Sequence, residues 1–373
     1  MTDYRDPWGR EGRSPQNTPY GGDFPPGHGS GQDVPPYALG RWQAPPGFGY
    51  QPPIPGRNPY KRMLRHNSNA ICAGLTLFFA VSTVVVWFVG LFAHFIPSFG
   101  NIMFNLSPVG LGVFDMILNT LSLLIPALLI AAFLRMPLNV AFPMRRTSAR
   151  LTVPGVFCTL GMSMVGMYIS MVITSILYGT VRVTATSPDF SPPTGGAEIM
   201  IYLIAISVIP GIFEEVLCRG VVMQSLRRFG DGFALVTSSL LFAMLHRNLL
   251  QGPNAFVTGM LLGYFTLRSG SLVPAIIMHF VNNFIFAFTN VVMMHMPARY
   301  AQILNFSAIP VFLALGAVGV ILMVLLNGGF TPLHRKATGL EEPAKYGLFF
   351  TAPLAILFII VTIVQTSRFL HFG

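Results

Sequence analysis

Two adjacent carboxylates, Glu214 and Glu215, lie inside an otherwise apolar stretch and are followed by Arg219 in the segment GIFEEVLCRG. Residues four apart share a helix face, so Glu215 and Arg219 can pair, which lowers the cost of burying either charge. Glu214 is turned about 100° from Glu215 and is left for another partner or for a cleft. Two more polar pairs follow at the same spacing. LLFAMLHRN sets Phe242 and His246 on one face, and PAIIMHFVNNF sets His279 and Asn283 on another. A buried carboxylate facing an imidazole can activate water, the carboxylate accepting a proton while the ring orients the oxygen. His279 and Asn283 are donors suited to a developing oxyanion. The set supports amide hydrolysis by direct attack of water. No Ser or Cys stands with a His in a nucleophile motif, so no covalent acyl-enzyme is expected. Glu214, His246 and His279 also make the Glu plus two His that zinc hydrolases use, although the helical HExxH pattern is absent. The residues favour a metal-free site, with a zinc site as the competing reading. Each pair has a structural reading as well: an ion pair locking a helix, a packed histidine, an interhelical hydrogen bond.

The elements that must carry these groups are membrane helices. The chain has 373 residues, of which 53% are hydrophobic and only 10% charged, against roughly 25% charged in soluble domains. A water-soluble globular protein is excluded on that ground, and wholesale disorder by the high hydrophobicity. About 20 helical residues cross a bilayer core. Nine apolar runs are long enough to consider, near 70–96, 108–134, 151–178, 198–218, 233–246, 254–268, 272–292, 306–327 and 347–366. The fifth and sixth are short, so the expectation is an all-α, polytopic bundle of eight or nine transmembrane helices. At about 1.5 Å per residue, Glu214 and His246 each stand about 24 Å from the turn near 230–231. They are expected to meet at one depth. His279 and Asn283 rise about 14 and 20 Å from the turn near Gly270, and Gly259 and Gly263 offer a small-residue face for close packing. An ionisable group in the bilayer is a functional candidate by default. Asp115 with Asn119, one turn apart, either lines the cavity or is a packed polar pair, and packing is the favoured reading.

Charge supplies orientation. There are 23 Lys and Arg against 13 Asp and Glu, a net of +10. The cations do not form one stripe, so nucleic-acid binding is not expected. They cluster between apolar runs: Lys61, Arg62 and Arg65; Arg135, Arg145, Arg146 and Arg150; Arg227 and Arg228; Arg268; and His334, Arg335 and Lys336. By the positive-inside rule these loops and the N-terminal side are cytoplasmic, in a cell membrane. Residues 1–66 form a separate segment rich in Pro, Gly and aromatic residues, expected to be a disordered tail with no assigned partner. Residues 67–373 form the embedded domain, with a catalytic core near 198–290. Cys72, Cys158 and Cys218 lack CxxC spacing and are expected to be buried small hydrophobes.

In order, EEVLCR, FAMLH and HFVNN match the patterns EExxxR, FxxxH and HxxxN. This order resembles the CAAX-protease and bacteriocin-processing (CPBP) family of intramembrane proteases, which includes the type II CAAX prenyl endopeptidases. The resemblance covers about residues 198–290. It implies an α-helical membrane endopeptidase acting on a membrane-associated protein or peptide, prenylated ones included. It implies that Glu214 and His246 activate water, that His279 and Asn283 hold the oxyanion, and that Glu215 with Arg219 supports the site. It leaves open whether the enzyme is glutamate-dependent or metal-dependent. The readings from other classes are a non-enzymatic membrane scaffold, regulator or immunity protein, and a proton-coupled transporter with a kink at Pro210-Gly211.

Overall fold

The computed structural model describes residues 58–186, 193, 195–333 and 338–372. The tail up to residue 57 and His334, Arg335 and Lys336 lie outside the described residues. Helix α1 (Pro59–Phe95) starts where the local chemistry starts it. The Asn58 side chain accepts the Tyr60 N–H at 2.9 Å, and proline occupies the first helical position, where an N–H would be orphaned anyway. Residues 59–66, counted with the tail in the sequence, are thus helical. A short α2 (Pro97–Phe104) leads to α3 (Pro108–Phe133), begun in the same way by Ser107 and Pro108. Then follow α4 (Ala149–Val181), the strand β1 (Val183–Ala185) and a compound helix α5 (Gly196–Phe229). The remaining elements are α6 (Asp231–Leu245), α7 (Gly252–Ser269), α8 (Val273–Met294), α9 (Ala298–Asn327), α10 (Glu342–Phe350), α11 (Pro353–Ser367) and β2 (Leu370–Phe372).

The protein is a multi-pass membrane protein. Among the described residues, six helices are long and apolar enough to cross a bilayer: α1, α3, α4, α5, α8 and α9. The pair α10–α11, bent by 72°, makes a seventh if it counts as one span. Eight or nine spans were expected, and the difference lies in the two short runs. Helix α6 has only 15 residues, and α7 carries Asn254, Thr258, Tyr264 and Arg268. Packed on each other, they form a hairpin lodged inside the protein, α7 against α4 and α6 against α5.

Contacts between loops define the two ends of the bundle. At one end the Arg145 N–H and carbonyl both bond the Ser271 hydroxyl, and Arg268 donates to the Asn327 and Gly329 carbonyls. At the other end β1 pairs antiparallel with β2, and Asn248 Nδ2 donates to the Thr186 carbonyl.

Prolines within these helices leave backbone carbonyls short of a donor, because the residue four positions on has no N–H. A neighbouring helix supplies the replacement. Pro154 frees the Arg150 carbonyl, which accepts from Asn327 Nδ2 at 2.8 Å. At the α10–α11 bend the Phe349 carbonyl, which also takes the Ala352 N–H at 3.3 Å, accepts from Ser68 Oγ at 2.7 Å. On either side of Ser68, Asn67 Nδ2 donates to the Ser225 carbonyl and Asn69 Oδ1 accepts the Leu354 N–H. One polar turn of α1 thereby stitches α5 to the α10–α11 bend. Replacing Ser68, which is fully buried, by Ala is expected to cost about 1 kcal/mol, since it removes a buried hydrogen bond. Thermal unfolding in detergent measures this, and an unchanged midpoint would contradict the assignment.

Candidate active site

Helix α5 is not one regular helix. It runs α over Gly196–Leu203, π over Ile204–Val208, α over Ile209–Glu215, then π again over Val216–Val222. The short α segment between the two wide turns ends on the carboxylate pair. Glu215 is fully buried, and its Oε1 accepts from Arg219 at 2.7 Å and from His279 Nδ1 at 2.8 Å. The expected i,i+4 pair therefore forms, and a histidine from α8 joins it. Because a carboxylate only accepts, His279 Nδ1 carries the hydrogen. The other ring nitrogen, Nε2, faces Glu214 Oε2 at 3.8 Å, too far for a hydrogen bond. Glu214 thus keeps its oxygens for another donor. One imidazole stands between two adjacent carboxylates, which the 100° step between them does not suggest until the ring's two nitrogens are considered.

Two further residues close the site. Phe242 of α6 puts its ring 4.2 Å from the Arg219 guanidinium carbon, a contact that stabilises a desolvated cation. The same ring meets His246 edge-on at 4.8 Å and His279 edge-on at 6.0 Å. His246 caps the C-terminus of α6, and its Nδ1 lies 2.9 Å from the Phe242 carbonyl. A carbonyl only accepts, so Nδ1 carries a hydrogen, and in the neutral ring Nε2 holds the lone pair. Both approaches depend on missing side chains. A Cβ on Gly211 would come within 3.2 Å of the Phe280 backbone, so this glycine lets α8 bring His279 up to Glu215. A Cβ on Gly259 would meet Arg219 Nη2 at 3.0 Å and the Phe242 ring at 3.2 Å, so α7 forms the floor under both.

The structure therefore gathers Glu214, Glu215, Arg219 and His279 directly, and joins His246 to them through Phe242. Asn283 lies one turn beyond His279, half-buried, with Nδ2 donating to the Ile206 carbonyl at 3.2 Å. That carbonyl, in the first π segment, is another one freed by a proline, here Pro210. The proline was visible in the sequence, but a backbone acceptor four residues before it was not counted as part of the site. Among the described residues, Glu214 approaches His279 and not His246 at ion-pair distance. Among the described residues, no three His, Cys, Asp or Glu side chains gather closely enough to hold a metal. Cys72, Cys158 and Cys218 are buried and free, and take no part. Asp115 and Asn119 do more than pack: with Phe78, Leu118, Ser122 and Arg247 they line a cavity of about 140 Å³.

A family model described as type II CAAX prenyl endopeptidase Rce1-like matches residues 196–285. Over this stretch the chain is similar to the CAAX-protease family. The match begins with α5 and ends on α8, spanning every residue of the cluster; α1–α4 and α9–α11 lie outside it. Comparison with curated proteins and with solved structures returns no match.

The charges in the cluster depend on each other. Glu215→Ala is expected to cost about 3–5 kcal/mol, because Arg219 is then left as an uncompensated charge at zero exposure. Replacing Glu215 by Met and Arg219 by Leu together is expected to regain most of that loss. Denaturant unfolding of the two variants checks this, and equal stabilities would contradict it.

Proposed function

We propose that this protein is an intramembrane endopeptidase that hydrolyses a peptide bond in a membrane-associated protein or peptide, a prenylated one included, with water activated by Glu214 and His246. The family match supports a CAAX-type protease in general. The observation that carries the finer reading is the state of the two acceptors. Glu214 has no hydrogen bond to His279, and His246 has its Nδ1 committed to a carbonyl. A water between them would give one hydrogen to the Glu214 carboxylate and the other to His246 Nε2, and would turn a lone pair towards the scissile carbonyl carbon.

The proton balance follows. Glu214 takes one proton as the oxygen attacks, and the C–O bond forms while the carbonyl oxygen becomes an oxyanion. In this reading the second N–H of the Asn283 amide serves as a donor for that charge. As the C–N bond breaks, Glu214 returns its proton to the leaving amine. Glu215 and Arg219 do not touch the reacting atoms. They hold His279 in one tautomer and orientation, as the third member of a triad does, and His279 in turn flanks Glu214. No step is routed through a metal. The basic end of the bundle, with Arg145, Arg150 and Arg268, supports a cytoplasmic N-terminal side in a cell membrane.

Glu214→Ala and His246→Ala are each expected to lower kcat at least about a hundredfold on a peptide bearing a prenylated cysteine, with the fold retained. Under the scaffold reading Glu214→Gln keeps its function. Under this one it does not, because an amide cannot take the proton. Cleavage by folded Glu214→Gln at the wild-type rate would overturn the proposal. A second outcome concerns metal: turnover is expected to survive dialysis against a zinc chelator, and a loss restored by zinc would replace the direct water route.

A further inference from the structure

The Asn283 amide sits at the end of a chain of side-chain hydrogen bonds that starts outside the matched segment. Ser163, on α4 and fully buried, donates from Oγ to Asn282 Oδ1 at 2.6 Å. Asn282, also buried, donates from Nδ2 to Asn283 Oδ1 at 3.2 Å. Asn283 donates from Nδ2 to the Ile206 carbonyl at 3.2 Å. Every donor points the same way, from α4 through α8 to α5.

The direction of the chain is set at its far end. A carbonyl can only accept, so Asn283 must turn its NH2 towards Ile206; the flipped amide would set two oxygens against each other. The Asn283 oxygen then faces Asn282, which must answer with its own NH2. That turns the Asn282 oxygen to Ser163, whose single hydroxyl hydrogen completes the chain. The Ile206 carbonyl is free for this because Pro210 has no N–H to offer it. The Asn283 NH2 has two hydrogens, of which one is used, so its orientation decides where the second points. Around Ser163, Leu160 and Met164 of α4 pack with Ile285 and Phe286 of α8 and Phe312 of α9, which fixes the distance between the helices.

We propose that Ser163 and Asn282 are positioning residues that brace the Asn283 amide, whose facing Ile206 sets, so that its second N–H is held where it can receive the oxyanion. This rests on the proposed hydrolysis but assigns a role to Ser163, outside the matched segment, and to Asn282, a position that the HxxxN pattern leaves open. Without the Ser163 hydroxyl, Asn282 loses its anchor to α4, and the Asn283 amide keeps its facing but loses the neighbour that fixes its position. Ser163 acts through Asn283 only, so its effect must vanish when the Asn283 amide is gone.

The test uses the full chain in liposomes and an internally quenched peptide with a farnesylated cysteine three residues from its C-terminus. Ser163→Ala is expected to lower kcat about tenfold with KM unchanged. Ser163→Thr, which keeps the hydroxyl, is expected to restore it. In an Asn283→Ala background, Ser163→Ala is expected to change nothing further. A wild-type kcat for Ser163→Ala, or an equal loss with and without the Asn283 amide, would overturn the proposal. Should the wild-type protein leave the peptide intact, the catalytic reading fails, and the chain is then read by unfolding. Ser163→Ala and Asn282→Ala are expected to shift the thermal midpoint non-additively, and additive shifts would show that the two residues are not coupled.

Discussion

A carboxylate and a guanidinium with no exposure lie one turn apart on a helix of membrane-spanning length, and neither could remain there alone. The desolvation cost of each is offset only by the other and by what surrounds them. Arg219 needs the Phe242 ring against its face and the bare backbone of Gly259 beneath. Glu215 needs His279, and His279 reaches it only because Gly211 lets α8 come close. The hairpin of α6 and α7, the approach of α8 and the broken geometry of α5 are thus parts of one solution to burying a charge. The proposed chemistry uses what the solution leaves over: one carboxylate and one ring nitrogen without a committed partner.

The same constraint acts on the backbone. In an apolar surrounding an unmatched carbonyl is costly, and proline creates one. Two prolines in this protein are answered by a side-chain donor from another helix: Asn327 for Pro154 and Asn283 for Pro210. The first bond is structural. The second belongs to the site, and there the freed carbonyl orients an amide. A break that would weaken an isolated helix gives this bundle a fixed reference direction.

Much of this was legible in the sequence, and the failures have identifiable causes. The pairing of Glu215 with Arg219 follows from helix spacing alone, since four residues always return to one face. The order of the three motifs marked α5, α6 and α8 as the elements that meet, and the two doubtful short runs are the helices that do not qualify as spans. The depth arithmetic brought Glu214 and His246 to one level, but it gave no sign that the imidazole nearest Glu214, at 3.8 Å, is that of His279. Apolar runs carry no mark of a wide turn. The acceptor for Asn283 was hidden for another reason: a backbone carbonyl has no residue type, and only the proline four positions later betrays it. Ser163 lay in an apolar run with nothing to distinguish it from a packing residue.

The wide turn over Val216–Val222 accommodates more chain per revolution than an α-helix does. Removing one residue there would let the stretch relax to ordinary α geometry, and would gain regular backbone hydrogen bonds. It would also rotate everything towards the C-terminus of the cut relative to everything before it, swinging the guanidinium out of line with its carboxylate. Regularity and charge matching are therefore opposed in this segment. The irregular form is the one in which the acid pair, its cation and the following hairpin remain in phase, so this helix has a length that cannot be edited by single residues.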